Sequence, residues 1–116
     1  MNSNQYQQAA ARTLISEPGL PISGKNLMLV WCAAGLCGES GEVMELIKKD
    51  VFHQHGIDPD LVKKELGDCL WYVAGLCSTL GLDLGDVMQD NIDKLLIRYP
   101  DGFSSEDSKV RADVEG

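Results

Sequence analysis

The sequence predicts an all-α fold, a bundle of four main helices, and three observations carry that expectation. Apolar residues recur at helical spacing, as at Leu27, Val30, Trp31, Ala34, Val43, Leu46 and Ile47. Capping and stop residues fall where these stretches begin and end. No alternating apolar–polar run of useful strand length occurs.

The first helix is expected from Ser3 to about Ser16, a segment rich in Gln and Ala that is closed by Pro18, Gly19 and Pro21. The second starts between Ser23 and Asn26 and runs to about Asp50. "HQHGIDPD" is a loop. Asp58 as N-cap, with Pro59 at the first helical position, opens the third helix. That helix continues to about Leu80 and stops at Gly81. Asp83, with Asp86 three residues on, has the box-like pattern that opens the fourth. It carries Val87, Met88, Ile92, Leu95 and Leu96 and ends before Pro100. From Ser104 onward, "SSEDSKVRADVEG" is polar and aperiodic, and it reads as a flexible tail. The organisation expected is therefore one domain over residues 1–103 and a tail over 104–116.

Composition narrows the function. The chain has 116 residues, which suits one domain with a modest core and makes pairing with further copies, as a dimer or tetramer, favourable. Eighteen acidic residues against ten Lys and Arg give a net charge of −8, which argues against a nucleic-acid duplex or an anionic membrane as the main partner. A phosphorylated small molecule remains suitable if metal ions bring it to carboxylates. Cys32, Cys37, Cys69 and Cys77 form no C-x-x-C pair and lie in apolar helical runs, so reduced core thiols are expected. The polar start "MNSNQYQQ" lacks the apolar core of a signal peptide, and the run from Leu27 to Cys37 is short for a bilayer span. A cytoplasmic protein is expected.

The chemistry-bearing residues are acids. In "GESGEVMELIKKD", Glu39 and Glu42 lie one helical turn apart, and in "KKELGDCLWYV" Glu65 and Asp68 repeat the arrangement. If the second and third helices pack antiparallel, the two pairs face each other at the edge of the core. Four unpaired carboxylates there repel one another and raise some pKa values. A hard divalent cation relieves that repulsion, and magnesium, which keeps several waters, leaves positions for phosphate oxygens. Manganese suits the same oxygen ligands. Gly35, Gly38, Gly41 and Gly67 lie beside these acids, where close helix approach or space for a ligand would offset their helix-weakening effect. Either acid pair alone reads as an ordinary solvated face; the two together favour a metal site. Glu45 is rotated away from Glu39 and is assigned to an exposed pair with Lys49. Asn91, Lys94 and Arg98 share one face of the fourth helix and suit phosphate, sugar or base contacts, with a polar outer face, Lys94 paired to Asp90, weighing equally. Arg98 has a second candidate role, tying down "YPDGF". Trp31 and Trp71 are expected in the core, with stacking on a nucleobase as the lesser alternative, and His53 and His55 in a solvated loop, with metal binding by the H-x-H pair as the lesser alternative.

At these residues the sequence resembles the MazG-like nucleotide pyrophosphohydrolases of the all-α NTP pyrophosphatase superfamily. That signature is E-E-x-x-E, a variable spacer, then E-x-x-D. "GESGE" and "ELGD" supply Glu39, Glu42, Glu65 and Asp68, while Gly38 stands where the signature has its first Glu. "GLCGESGEVMELIKK", "KKELGDCLWYVAGLC" and "NIDKLLIRYPDGF" extend the likeness over about Tyr6 to Phe103. The resemblance implies magnesium-dependent hydrolysis of a nucleoside triphosphate to the monophosphate and pyrophosphate, in nucleotide-pool house-cleaning. It implies metal ligation by Glu39, Glu42, Glu65 and Asp68, with Glu39 or Glu42 as the general base. It moves Asn91 and Lys94 toward substrate contact. Two alternatives stand beside this reading: a related phosphoribosyl-ATP pyrophosphohydrolase, and a non-catalytic cation-binding helical scaffold.

Overall fold

Asn2 opens the first helix through a reciprocal box: the Asn2 side chain accepts from the Gln5 N–H at 2.9 Å, and the Gln5 side chain accepts from the Asn2 N–H at 2.8 Å. Helix α1 spans Ser3–Ala11 and gives way to a turn over residues 12–14. The computed structural model describes residues 1–14 and 22–115. The expected end of this helix near Ser16, and the stop at Pro18, Gly19 and Pro21, lie outside the described residues.

Helix α2, Gly24–His53, is capped by the Ser23 side chain, which accepts from the Asn26 N–H at 3.0 Å. It runs three residues past the expected end and closes on Gln54 in the left-handed region at φ 58°. Helix α3, Pro59–Leu80, starts at the Asp58 cap and ends at Gly81, whose φ of 69° suits a residue without a β-carbon. Helix α4, Leu84–Arg98, is capped by Asp83, which accepts from the Gly85 N–H at 2.7 Å; this bond stands where a box with Asp86 was expected. Beyond it the expected tail carries two short helices, α5 at Ser105–Val110 and α6 at Ala112–Glu115. The reason is local: Ser104 accepts from the Asp107 N–H at 3.0 Å, and Glu106 and Asp107 place negative charge in the first turn of α5. All described helices are α-helical and the described residues contain no strand, only an isolated bridge between Pro100 and Gly102.

Helices α2 and α3 form the centre of the fold. Cys32 meets Gly75, Gly35 meets Tyr72 and Ser40 meets Cys69, so partners descend as numbers rise and the hairpin is antiparallel. Gly35 and Gly75 permit the approach. A β-carbon on Gly35 would collide with the Tyr72 ring, and one on Gly75 would lie 2.8 Å from the Cys32 sulfur. Gly38, Gly41 and Gly67 face open space within this chain.

Little of the apolar surface is covered. Among the described residues only Cys32 and Cys77 are buried. Cys69 is half-buried and Cys37 is exposed, and all four thiols are free. Trp31 and Trp71, expected in the core, are 51% and 54% exposed. The periodicity was correct, but the surface it marks lies largely uncovered in a single chain. Among the described residues α4 packs lightly on α5 and α6 and makes no extensive contact with the α2–α3 hairpin. The radius of gyration is 20.1 Å. A compact chain of this length would have about 13 Å.

Candidate active site

The antiparallel register of α2 and α3 decides which acids meet. Glu39 from α2 joins Glu65 and Asp68 from α3, with a carboxylate oxygen of each within 4.8 Å of the others. Glu65 and Asp68 are three residues apart and so project from the same face of their helix. Glu39 and Glu65 are half-buried and Asp68 is exposed. The donor set is all oxygen and carries no cation of its own: among the described residues the ion pairs are Glu45–Lys48 and Arg98–Asp113.

The crowding registers on Glu39. Its pKa is raised above the ordinary 4.5, first by a hydrogen-bonding contact with the Glu65 carboxyl, then by partial burial, then by the charges of Asp68, Glu65 and Glu42. Oxygen ligands 2.0–2.1 Å from a magnesium ion lie roughly 3–4 Å from one another. The observed spacing needs only small side-chain rotations to reach that geometry, so the three residues fit a hard divalent cation.

Glu42 stands apart from the three. It is exposed and lies one turn farther along α2, about 4.5 Å along the axis. It remains near enough to contribute to the raised pKa of Glu39. Glu45 pairs with Lys48 at 3.3 Å where Lys49 was expected, since residues three and four apart share a helix face. His53 and His55 are exposed at the end of α2, with ring centroids 5.9 Å apart.

Beside the acids opens a cleft of about 330 Å³ lined by Trp31, Glu39, Asp68, Trp71 and Tyr72. The three aromatics meet edge to face: Trp31–Trp71 centroids are 5.7 Å apart, Trp71–Tyr72 5.1 Å and Trp31–Tyr72 6.4 Å. Such a wall offers flat apolar faces within reach of carboxylates. Sequence reasoning placed these tryptophans in the core, with nucleobase stacking as the lesser alternative, and did not locate the cleft. The available signal was the spacing of Trp71 and Tyr72, three and four residues after Asp68, which puts them on the acid face of α3.

Asn91, Lys94 and Arg98 lie on α4, away from the acids of the same chain. Asn91 and Lys94 are exposed. Lys94 makes no ion pair with Asp90; Asp113 is the carboxylate whose pKa it helps to lower. Arg98 binds the same Asp113 through two hydrogen bonds, Nε to Oδ1 at 2.7 Å and Nη2 to Oδ2 at 2.9 Å. Tyr99 and Phe103 meet at a tilt with ring centroids 5.3 Å apart, and Phe103 is 77% exposed; Arg98 is engaged chiefly by Asp113, with a smaller contribution from the Tyr99 side chain of the "YPDGF" segment.

The MazG nucleotide pyrophosphohydrolase domain matches residues 31–103, which include the acid cluster, the aromatic cleft and the face of α4. The gene 37 protein of Mycobacterium phage L5 is 36% identical over 106 residues, covering 88% of this chain and 92% of the phage protein. No solved structure matches.

Proposed function

The chain belongs to the MazG nucleotide pyrophosphohydrolase family, and from that premise we propose that it hydrolyses a nucleoside triphosphate to the monophosphate and pyrophosphate, with magnesium or manganese, to clear unwanted nucleotides from the pool. The observation that carries this reading is the convergence of Glu39, Glu65 and Asp68 beside an aromatic-walled cleft. The cluster suits a divalent cation and the cleft suits a nucleobase. Glu39, Glu65 and Asp68 would hold the ion, with Glu42 rotating in from the next turn. Bound there, the ion supplies charge neutralisation at phosphate oxygens and makes a nearby water more acidic.

The protein's own groups do the rest. One of the carboxylates, Glu39 or Glu42, takes a proton from the attacking water. Attack at the α-phosphorus makes pyrophosphate the leaving group. Trp31, Trp71 and Tyr72 hold the base by stacking and exclude water from one side of the cleft. Lys94 and Asn91 neutralise and orient the phosphates.

That last role requires a second copy. One chain leaves α4 unpacked against its own hairpin and exposes Met88 at 61%, Ile92 at 53% and Leu96 at 59%. The hairpin offers a matching apolar groove of about 530 Å³ lined mainly by Ile47, Ile57, Val62, Leu66 and Leu70. We propose a homodimer in which α4 of one chain packs on the hairpin of the other and delivers Asn91 and Lys94 to its acids. Helix α2 is long and apolar enough to cross a membrane by length and composition. Its mid-helix carboxylates, Glu39 against the acids of α3 and Glu42 one turn farther on, favour a protein partner over lipid.

Incubating the purified protein with each dNTP and NTP and with phosphoribosyl-ATP, with and without magnesium, tests the proposal. Monophosphate plus pyrophosphate is the expected product pair. Diphosphate plus orthophosphate overturns it, turnover of phosphoribosyl-ATP alone reassigns the substrate, and no turnover returns the chain to a cation-binding scaffold.

A further inference from the structure

Arg98 is the best phosphate-binding group on α4, and its guanidinium is already filled. A carboxylate and a phosphate present the same pair of oxygens to an arginine fork. Asp113 occupies both positions of that fork, with its side chain 4% exposed and that of Arg98 18% exposed. Lys94, one turn earlier on the same face, adds a favourable charge to Asp113. The C-terminal segment thus places one anion on Arg98, on the face that α4 offers a substrate.

Resting on the hydrolase reading above, we propose that Asp113 is an internal substitute for substrate phosphate, held on Arg98 by the C-terminal segment and displaced when the triphosphate binds. The segment is built to let go. Helix α5 has six residues and α6 four, lengths that are not stable alone in water. Arg111, between them, takes the left-handed conformation at φ 50° without being glycine. Val110 and Val114 are 55% and 63% exposed, so they provide no buried anchor. The Arg98–Asp113 pair is therefore the principal tie, and an anion competing for Arg98 releases the strap.

The test uses the full chain, with inorganic pyrophosphate and magnesium as the probe. In calorimetry, Asp113→Asn binds pyrophosphate about 3–10-fold more tightly than the native chain, because the competent form no longer competes with a closed one. With nucleotide, KM falls by a similar factor while kcat is unchanged. In the native chain, added pyrophosphate increases amide hydrogen exchange across residues 105–115. A segment that merely braces α4 behaves oppositely: Asp113→Asn binds more weakly or equally, and pyrophosphate leaves exchange unchanged. Either result overturns the proposal. If the native chain turns over no nucleotide, the hydrolase reading fails, whereas pyrophosphate binding and exchange still report on the strap.

Discussion

Gly35 on α2 lies against the Tyr72 ring on α3 with no room for a β-carbon. The contact sets the depth at which the hairpin closes, four residues from Glu39 on one helix and four from Asp68 on the other. Gly35→Ala must push Tyr72 or the helix aside, and overpacking of this kind costs about 1–3 kcal/mol. Gly38→Ala meets nothing within 4 Å and should gain roughly 0.5–1 kcal/mol from helix propensity. Urea unfolding of the two variants checks this opposition in sign. A loss at Gly38 would mean that another chain covers that position.

The raised pKa of Glu39 makes stability depend on pH in a definite direction. A carboxyl that holds its proton more tightly folded than unfolded loses folding free energy when it ionises. The metal-free protein should therefore lose stability as pH rises from the ordinary 4.5 through the higher value that Glu65, partial burial and the neighbouring charges impose on Glu39. A divalent cation cancels that repulsion. The magnesium-induced rise in Tm should be larger at about pH 7.5 than at about pH 5, measured in chelator and in magnesium. Equal rises at both pH values would show that Glu39 does not share the cation.

The three convergent acids and Glu42 should separate in mutagenesis. Glu39→Gln, Glu65→Gln and Asp68→Asn each remove a group from the cluster, and activity should fall about 100-fold or more at any magnesium concentration. Glu42 reaches the cluster only by rotating inward, so Glu42→Gln should raise the magnesium needed for half-maximal rate before it lowers the plateau. Glu39→Gln should also raise the Tm of the metal-free protein by removing the charge whose pKa is raised. Magnesium titrations of initial rate and of Tm decide each case.

The aromatic cleft should act on binding more than on chemistry. Stacking a base on an aromatic side chain is worth about 1–3 kcal/mol. Trp71→Ala should therefore raise KM for a nucleotide roughly 5–150-fold with a smaller change in kcat. Trp71 is more than half exposed in the single chain, so folding should tolerate the change. Inorganic pyrophosphate has no base, and its affinity should be unaltered in the same variant.

What the sequence disclosed and what it hid follow from the range of each interaction. The caps at Asp58 and Asp83 and the stop at Gly81 are local, and all are present. Two acid pairs on neighbouring helices showed that acids would meet if those helices packed antiparallel, but which three meet, with Glu42 one turn off, is set by the hairpin's close contacts. Burial is not local. Trp31 and Trp71 carry the same apolar periodicity whether a core, a ligand or a second chain covers them, and only the hairpin geometry puts them beside the acids. Asp113 was hidden differently: composition alone reads its segment as polar tail, although Ser104 and Asp107 already formed an N-terminal helix pattern.

A shared site makes a prediction that a self-contained one cannot. If α4 of one chain serves the hairpin of the other, Glu39→Gln and Lys94→Ala damage different halves of the same pocket. Each variant alone should be nearly inactive. In a mixed dimer, both lesions fall in one pocket and the other pocket is built from an intact hairpin and an intact α4. Random exchange of equal amounts of the two variants makes half of the dimers mixed, each with one working pocket, so about a quarter of native activity should return. A pocket completed within its own chain gives no recovery, because every pocket then carries one lesion. Measuring turnover before and after mild unfolding and refolding of the mixture, with light scattering to confirm the dimer, distinguishes the two arrangements. Recovery would place Lys94 across the interface from Glu39 and account for an α4 that, among the described residues, makes no extensive contact with its own hairpin.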